Sequence, residues 1–331
     1  MFEESIGSPT LLIGFVVFIL AMLGLDLGVF HRKQHTVKFR EALIWSSVWI
    51  ALALVFNLGI YYWFGAGKGL EFFTGYVIEK ALSVDNLFVF VAIFAYFNIS
   101  PRWQHRILFW GIIGALIMRA IFIVVGGAML SHFHWTIYLF GGILVITGLK
   151  LFYQKNKEVE IDRNIIVRIL KRIFPVADKN QGARFFIKKN NKWFITPVFL
   201  ALVTVEVSDL IFAVDSIPAV YAITSDPFIV FTSNIFAILG LRSLYFLLAG
   251  LLNRFQFLKV GLAAVLVFVG SKMLISGYIK IPISLSLGII CTILVGSVLA
   301  SMWVSISVKK AVNKDLYIND SAREEKVPGE V

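Results

Sequence analysis

EKALSVDNLFVF, residues 79–90, places three charged side chains in an otherwise apolar part of the chain. A second segment, DLIFAVDSIPAV at residues 209–220, can be aligned with it. This correspondence of acidic and polar positions indicates an internal repeat. The alignment pairs Glu79 with Asp209, Asp85 with Asp215, and Asn86 with Ser216.

The repeat extends to basic residues further along each half of the chain. The motifs GILVITGLKLF and AVLVFVGSKML carry Lys150 and Lys272 at the same distance from a shared glycine. Arg119 precedes Lys150 by 31 residues, and Arg242 precedes Lys272 by 30 residues. Chance similarity between two hydrophobic segments is the alternative explanation, but charges that match in the same order favour a repeat.

The composition is that of a membrane protein. Hydrophobic residues make up 59% of the 331 residues and charged residues 15%, whereas a soluble domain is typically about half apolar and about a quarter charged. The mean hydropathy is +0.84, and apolar residues occur in blocks of about 20, which is long enough for a helix to cross a bilayer. We therefore predict an all-α integral membrane protein.

We predict about nine transmembrane helices, with an inverted repeat formed by spans 3–5 and spans 6–8. Each half holds an odd number of spans, and both halves are joined on one side of the membrane. The second half must therefore be inverted relative to the first, as in many secondary transporters that bind substrate near the bilayer midplane. The predicted spans are about 10–30, 43–64, 72–97, 107–130, 135–153, 195–223, 228–251, 255–276 and 283–306.

The distribution of basic residues predicts the orientation. Lys and Arg are concentrated in one set of alternate loops, whereas the other set offers only Lys68 and Lys280. This bias predicts a bacterial inner membrane protein with its amino terminus outside and its carboxyl terminus in the cytoplasm. The regions are spans 1–5 (1–153), a basic cytoplasmic linker (154–194), spans 6–9 (195–308) and a charged tail that we expect to be disordered (309–331).

Within the linker, isoleucines recur at helical spacing between residues 161 and 173, among four basic residues. This pattern predicts an amphipathic helix. It fits a helix that lies on an anionic membrane leaflet, and it equally fits a soluble cap helix that packs on the transmembrane body.

The sequence lacks the residues that several kinds of catalytic and redox chemistry require. The single cysteine, Cys291, rules out an internal disulfide and dithiol chemistry within one chain. The sequence has no HExxH, no CxxC and no glycine-rich phosphate loop. We therefore expect no enzyme activity and no resident cofactor. The net charge of +11 is explained by cytoplasmic loops rather than by a nucleic acid partner.

Eleven charged side chains lie inside the predicted spans. Each costs roughly 2.5–3.5 kcal/mol at the centre of a membrane helix, so these groups must form pairs, take up protons or bind an ion. For four of the bases we favour structural ion pairs, because they are repeat mates without other polar neighbours. The acids are Asp26, Glu79, Asp85, Glu206, Asp209 and Asp215, and the bases are Lys80, Arg119, Lys150, Arg242 and Lys272.

For the acids we favour a cation site over structural salt bridges, because hydroxyl and amide side chains lie next to them. Asn86 follows Asp85, and Ser216 follows Asp215. Hard divalent cations such as Mn²⁺ and Mg²⁺ prefer such oxygen ligands. Asp209 is separated from Asp215 by about 120° and about 9 Å on a straight helix, so one helix alone cannot bring both to one ion.

We therefore expect Asp85 and Asp215, one from each half, to bind the metal. Glu79, Glu206 and Asp209 are then outer ligands, proton carriers or salt-bridge partners.

Pro218 predicts a break in span 6. Proline lacks an N–H and frees the carbonyl four residues earlier, here that of Val214. A freed carbonyl beside Asp215 would suit an ion site in a broken helix. A simple kink is the alternative.

The segments EKALSVDN (79–86), VEVSDLIFAVDSIPA (205–219) and SNIFAILGLRSLYF (233–246) strongly resemble the TerC family, most closely its Alx-like members. The resemblance covers essentially the whole chain. It implies an integral membrane protein associated with manganese efflux and tellurium resistance, and Alx-like members have also been described as redox modulators. The family's motif residues correspond here to Glu79, Asp85, Asn86, Glu206, Asp209 and Asp215, followed by Ser216 and Pro218.

Functions from different classes follow from these features. The first is a transporter that exports divalent metal ions, with Mn²⁺ as the expected substrate and protons as a candidate coupling ion, because carboxylates can exchange one for the other. The alternative is a membrane redox modulator or tellurium-resistance factor without direct metal transport. Such chemistry would require a cysteine pair, intramembrane haem ligands or a flavin domain. An intramembrane hydrolase built on two acids fits the repeated charges less well.

Overall fold

The computed structural model describes most of the chain, and every structural statement below concerns that part. The described residues are 5–25, 39–133, 135–153, 165–177, 184–189, 191–248 and 257–324.

Helices dominate the described residues. The helices are α1 (Pro9–Leu25), α2 (Phe39–Phe64), α3 (Ala66–Tyr96), α4 (Pro101–His132), α5 (Thr136–Tyr153), α6 (Ile165–Ile173), α7 (Pro197–Tyr221), α8 (Pro227–Leu239), α9 (Leu241–Leu248), α10 (Leu258–Ile275) and α11 (Ile283–Glu324). The strands are β1 (Phe186–Lys189) and β2 (Lys192–Ile195).

Six of the described helical segments are long and apolar enough to cross a membrane. They are α2, α4, α5, α7, the first part of α11, and the segment Pro227–Leu247 that α8 and α9 form together. α1 and α10 contain shorter apolar helices, and α3 is 31 residues long but interrupted by charges. An integral membrane protein with several apolar helices is therefore confirmed, whereas the total of nine spans stays a prediction.

A proline in the first turn begins α4, α7 and α8. The first turn of a helix has N–H groups without intrahelical partners, so a residue that lacks an N–H fits there. The side chains of Thr196 and Asp226 cap α7 and α8 by accepting hydrogen bonds from the backbone N–H groups of Phe199 and Phe228. These local signals define where the helices that carry the candidate site begin.

The linker packs against the transmembrane helices. Val167 of α6 is buried in a core cluster with Val198 of α7 and with Phe97 in the turn after α3. The opposite part of α6 exposes Ile169 and Ile173. One face of the predicted amphipathic helix thus packs on the protein. We call the end of the bundle where the linker and the turn after α3 meet the linker end.

The described residues are mostly helical, as predicted, and the linker adds one short β-hairpin. β1 and β2 form an antiparallel hairpin in which Lys188 lies opposite Trp193. Asn191 has a φ of 58°, in the left-handed region. Asparagine tolerates this conformation better than most residues, and an asparagine-containing turn between β-formers is a hairpin signal. The surrounding lysines made the segment resemble a charged loop instead.

The segment that we expected to be a disordered tail, from residue 309, is helical over residues 309–324. α11 continues without a break to Glu324, which leaves only residues 325–331 of the predicted tail outside the described residues. The tail contains no glycine or proline before Pro328, so nothing in its sequence ends the helix.

Glycines bring α5 and α10 into close contact. A Cβ on Gly141 would lie 3.0 Å from the carbonyl oxygen of Gly270, and a Cβ on Gly148 would lie 2.8 Å from that of Ala263. As the residue number rises along α5, its partner's number falls along α10, so the helices run antiparallel. Close backbone approach at small residues is typical of packed membrane helices.

The remaining central helices pack in two similar pairs. α3 packs against α8, and α4 packs against α7. α8 is the most deeply enclosed of them, because every residue from Phe228 to Leu239 except Phe231 is buried. This arrangement surrounds the middle of the bundle with α3, α4, α7 and α8.

We predict that Gly148→Leu destabilises the protein and that Gly142→Leu does not. Gly148 faces the α10 backbone, whereas a Cβ on Gly142 would meet no atom within 4 Å. Overpacking of this kind typically costs about 1–3 kcal/mol. Thermal unfolding of the purified variants in detergent measures the difference. Equal melting temperatures for the two variants would contradict the close α5–α10 contact.

Candidate functional site

Arg119 forms the centre of a buried polar cluster. It projects from the middle of α4, and its side chain has no exposed surface. Its guanidinium contacts side chains from α3, α7 and α8. A guanidinium cannot give up its proton in a protein, so this charge must be balanced where it lies.

Two carboxylates share this guanidinium. Arg119 Nε and Nη2 donate to the two oxygens of Asp209, at 3.5 Å and 3.3 Å, as a side-on fork. Arg119 Nη1 donates to Glu79 Oε1. One arginine thus joins the two acids that the sequence alignment pairs, Glu79 and Asp209.

Neutral polar groups complete the cluster. Arg119 Nη1 also donates to Asn234 Oδ1 at 3.0 Å and to Ser216 Oγ at 3.3 Å. Asn86 Nδ2 donates to Asp209 Oδ1 at 3.4 Å. The cluster therefore contains Glu79, Asn86, Asp209 and Ser216 of the predicted site, together with Arg119, which we predicted as a structural base.

The charges within the cluster do not cancel. Glu79, Asp209 and Arg119 together carry one more negative than positive charge when all three are ionised. Several buried atoms of the region also lack a hydrogen-bond partner, among them Glu79 Oε2 and Ser83 Oγ. Uncompensated charge and unpaired oxygens are costly in a buried site, and a bound cation would relieve both.

Glu206 lies beside this cluster rather than within it. Its carboxylate rests against Gly114 of α4, where any larger residue would collide with it. It is half-buried and its charge acts on that of Asp209. Glu206 is thus close enough to interact with the cluster without touching the arginine.

Asp215 faces a different helix. Thr147 of α5 donates a hydrogen bond to Asp215 Oδ1 at 3.0 Å, and the charge of Lys150 acts on it through space. Asp209 and Asp215 therefore have separate partners, as expected for two acids of one unbroken helix.

The predicted ion pairs of the bases are only partly found. Arg119 forms two of them, and Arg242 is buried with contacts of its own. Among the described residues, no acid lies within ion-pair distance of Lys150 or Lys272, although the charge of Lys150 acts on Asp215. Ion pairs for these two lysines stay a prediction.

The predicted helix break at Pro218 is wrong. α7 continues through Pro218 to Tyr221. The proline lies in the last turns of the helix, and the residues around it, Ile217, Ala219 and Val220, are buried. Packing on this side holds the helix together although one backbone hydrogen bond is lost.

Two acids of the prediction lie outside what the structure describes. The backbone of Asp85 belongs to α3, but its side chain is outside the described residues, as is Asp26 altogether. The expected pairing of Asp85 with Asp215 therefore stays a prediction. Among the described residues, no three side chains of histidine, cysteine, aspartate or glutamate are grouped so that they could hold a metal ion.

A narrow cavity leads toward the cluster. Asp209 and Arg242 line it together with apolar residues such as Phe90, Leu108 and Ile112. Leu108 and Ile112 lie on α4 between the turn after α3 and Arg119, so the cavity lies on the linker side of the cluster. Asp209 forms part of the wall of this cavity.

The opposite end of the bundle is closed by polar contacts, and we call it the far end. Asp226 accepts hydrogen bonds from Ser5 Oγ at 2.8 Å and from the backbone N–H of Ile6 at 3.0 Å. Lys68 lies 3.0 Å from Glu71 and 3.5 Å from Asp226. These contacts tie the segment before α1 to the starts of α3 and α8.

Sequence reasoning missed some members of the site. Asn234 lies within the segment 233–246 that we quoted for the family resemblance, but it carries no charge, and our predictions rested on the charged residues. Thr147 has no polar match in the other half, because the repeat places Val269 there. A polar residue within an apolar span is the signal that could have identified both.

Comparison with known protein families agrees with the resemblance drawn from the motifs. The family model described as "Integral membrane protein TerC family" matches residues 64–309, which include the whole cluster. The chain belongs to the TerC family. No solved structure matches this TerC-family protein.

Curated relatives cover nearly the whole chain. An "Uncharacterized membrane protein STKORF319" of Myxococcus xanthus is 56% identical over 298 residues, 90% of this chain and 93% of its own length. A protein of Escherichia coli K12 named "Putative membrane-bound redox modulator Alx" is 44% identical over 311 residues, 91% of this chain and 97% of its own. An "Uncharacterized membrane protein" of Rickettsia felis is 43% identical over 288 residues, 87% and 96% of the two chains.

We predict that Arg119→Met lowers the free energy of unfolding by about 3–5 kcal/mol, the usual cost of breaking a buried charge pair. Two buried carboxylates would then lose their counter-charge. Arg119→Lys should be intermediate, because an ammonium cannot reproduce the side-on fork on Asp209. Thermal unfolding in detergent measures both.

Arg102→Met serves as the control, because Arg102 is exposed at the start of the same helix. Adding Glu79→Gln and Asp209→Asn to Arg119→Met should recover part of the lost stability. If Arg119→Met melted like Arg102→Met, the cluster would contribute nothing to the fold.

Proposed function

We propose that this protein exports divalent metal ions, with Mn²⁺ as its main substrate, across a bacterial inner membrane. The observation that carries the proposal is the pair of buried carboxylates, Glu79 and Asp209, that share Arg119 in the middle of the bundle. Acidic groups at this depth are expensive and mark ion pathways in membrane proteins. The TerC resemblance, which implies manganese efflux, supplies the metal and the direction.

The ligand chemistry supports a hard cation. Carboxylates and hydroxyls are the oxygen donors that Mn²⁺ and Mg²⁺ prefer. Glu79 Oε2 and Ser83 Oγ have no hydrogen-bond partner, and both lie on α3 one turn apart. Ser216 Oγ accepts only a long hydrogen bond from Arg119. A cation would therefore find unpaired oxygens here.

Binding must compete with the guanidinium. In the present arrangement Arg119 occupies both carboxylates, so a metal ion would have to displace it from at least one of them. Glu206, close to Asp209, offers a further carboxylate during this exchange. In the absence of metal, Arg119 would neutralise the two carboxylates and so keep the empty site stable. When a metal ion binds, Arg119 would release at least one of these carboxylates to the metal.

Alternating access is supported by the packing of the helices. Under the repeat, α3 matches α7, α4 matches α8 and α9, and α5 matches α10. The α3–α8 contact is then equivalent to the α4–α7 contact, and Gly141–Gly270 is equivalent to Ala263–Gly148. Antiparallel packing of α5 with α10 fits two halves of opposite orientation, which is the basis of inverted-repeat transporters.

One-sided access fits a transport cycle. The cavity approaches Asp209 from the linker end, and polar contacts of Asp226 and Lys68 close the far end. With the linker in the cytoplasm, as the basic residues predict, this is a conformation that faces the cytoplasm. Export would require the far-end contacts to open while the cavity closes.

The name of the Alx relatives favours a second candidate, a membrane redox modulator. The sequence has a single cysteine, Cys291, on α11 outside the repeat. Redox effects that follow from altered manganese levels require no redox group in this chain. Metal export therefore accounts for the buried acids, whereas redox chemistry leaves them unexplained.

We predict saturable Mn²⁺ flux into liposomes that contain the purified protein and a metal-sensitive dye. Asp209→Asn and Glu79→Gln should each reduce the initial rate by at least about tenfold, the effect of losing about 1.4 kcal/mol of binding. Asp215→Asn tests the predicted pairing with Asp85 in the same assay. An imposed pH gradient shows whether protons drive the flux.

Glu41→Gln is the matched control, because Glu41 lies in the first turn of α2 and is not part of the cluster. Flux that survives in both Asp209→Asn and Glu79→Gln would move the site elsewhere. Absence of flux from folded protein, with and without a pH gradient, would favour a structural role for the charges.

We predict that Cys291→Ser leaves the Mn²⁺ flux unchanged, since Cys291 has no partner sulfur within the chain. The same variant tests the redox candidate in cells. A loss of the cellular phenotype with full flux in liposomes would support redox chemistry at this cysteine and count against export as the main function.

A further inference from the structure

The helix that is broken at the centre of the bundle is not α7 but the one formed by α8 and α9. α8 ends at Leu239, Gly240 follows, and α9 begins at Leu241. The two segments together have the length and hydropathy of one membrane span. The last carbonyls of α8 therefore lack the intrahelical partners that a continuous helix would supply.

The ammonium of Lys80 lies at this break. Lys80 Nζ donates a hydrogen bond to the carbonyl oxygen of Ala237 at 3.2 Å. No described acid forms an ion pair with Lys80, and the carboxylate of the preceding residue, Glu79, binds Arg119 instead. Lys80 is thus a charged group in the bundle whose observed partner is a helix-end carbonyl.

Gly240 leaves room for the ammonium. A Cβ at this position would lie 2.7 Å from Lys80 Nζ and 3.3 Å from Cβ of Trp49. Since the backbone of Gly240 has a φ of −81°, glycine is not needed for the backbone conformation here. The close approach of the lysine explains why this residue has no side chain.

The carbonyl end of α8 attracts positive charge. The aligned peptide dipoles give a helix a partial negative charge at its carboxyl end and a partial positive charge at its amino end. Asp226 caps the amino end of α8, and Lys80 lies at the other end. In membrane transporters, the carbonyl ends of broken helices coordinate small cations.

We propose that the carbonyl end of α8 is a binding position for a monovalent cation, and that the ammonium of Lys80 is its resident, tethered ion. The site belongs to one half of the chain. The repeat places Leu210 at the position of Lys80, and it places Ile117, inside the continuous helix α4, at the position of Gly240. The proposal goes beyond metal export and does not depend on it.

The experiment removes the tethered ion and offers free ones. Lys80→Met is purified as the full chain in detergent, and its melting temperature is measured in choline chloride, sodium chloride, potassium chloride and methylammonium chloride at equal ionic strength. We expect a melting temperature about 4 °C below that of the unaltered protein in choline chloride. At least one of the small cations should restore it in a saturable manner.

Two further variants define the position. In Lys80→Met combined with Gly240→Ala, the added methyl group fills the space of the ammonium, so the small cations should no longer restore stability. Lys272→Met is the control for a span lysine without a described ion pair, and its melting temperature should be the same in all four salts. If Lys80→Met does not fold, Lys80→Ala, which also leaves the carbonyl of Ala237 without its donor, is measured instead.

The proposal is overturned if Lys80→Met, or Lys80→Ala in its place, melts at the same temperature in all four salts. It is also overturned if the double variant with Gly240→Ala is restored as well as the single variant. The melting temperature is measured without any transport. Either result therefore leaves the proposal of Mn²⁺ export untouched, and the flux assay tests that proposal separately.

Discussion

The contact between Arg119 and its two carboxylates is the interaction on which the rest of the structure depends. A guanidinium with no exposed surface has to meet opposite charge inside the bundle, and it meets that charge on α3 and α7. The alignment of the sequence pairs Glu79 with Asp209, so under the predicted repeat the arginine on α4 links the two halves at equivalent positions. Asn234 brings α8 into the same contact. Four helices are in this way held together around one side chain.

Other features of the structure follow from the position of Arg119. α8 must be almost fully buried because it fills the space beside the arginine, and its ends are stabilised by Asp226 at one side and Lys80 at the other. Asp209 lines the cavity on the linker side of the cluster. Any ion that passed through the bundle would have to exchange places with a charge that is already there. The centre of the bundle is therefore filled by a charged cluster with one excess negative charge when all three groups are ionised.

Much of the fold could be predicted from hydrophobicity, because a helix long enough to cross a bilayer leaves a clear block in the sequence. The helices follow the predicted spans closely. The sequence alignment placed Glu79 opposite Asp209, and both contact Arg119, but the pair that the sequence predicted for the ion was Asp85 with Asp215. The site was predicted less well at residues whose type is compatible with two different backbone structures. A proline such as Pro218 can break a helix or be tolerated near the end of one. Here α7 continues through Pro218, whose neighbours are buried. A glycine such as Gly240 can lie inside a continuous helix or at an interruption between two helices. The sequence does not distinguish the two cases, whereas the structure shows the Lys80 ammonium beside Gly240. The hairpin at Asn191 and the long α11 depend on local conformation that span-scale hydrophobicity does not capture.

The order of the charged residues along the chain has a consequence for how the protein is made. Asp209 follows Arg119 by 90 residues, which at about 5–20 residues per second of synthesis corresponds to a delay of roughly 5–18 s. Glu79 precedes Arg119 by 40 residues, so it has already left the ribosome when the arginine emerges. α3 and α4 can therefore enter the membrane as a hairpin that carries its own neutral pair, with the second acid arriving afterwards. Glu79 on α3 thus neutralises the charge of Arg119 during insertion. Asp209 on α7 becomes the second partner of Arg119 when the second half of the bundle assembles.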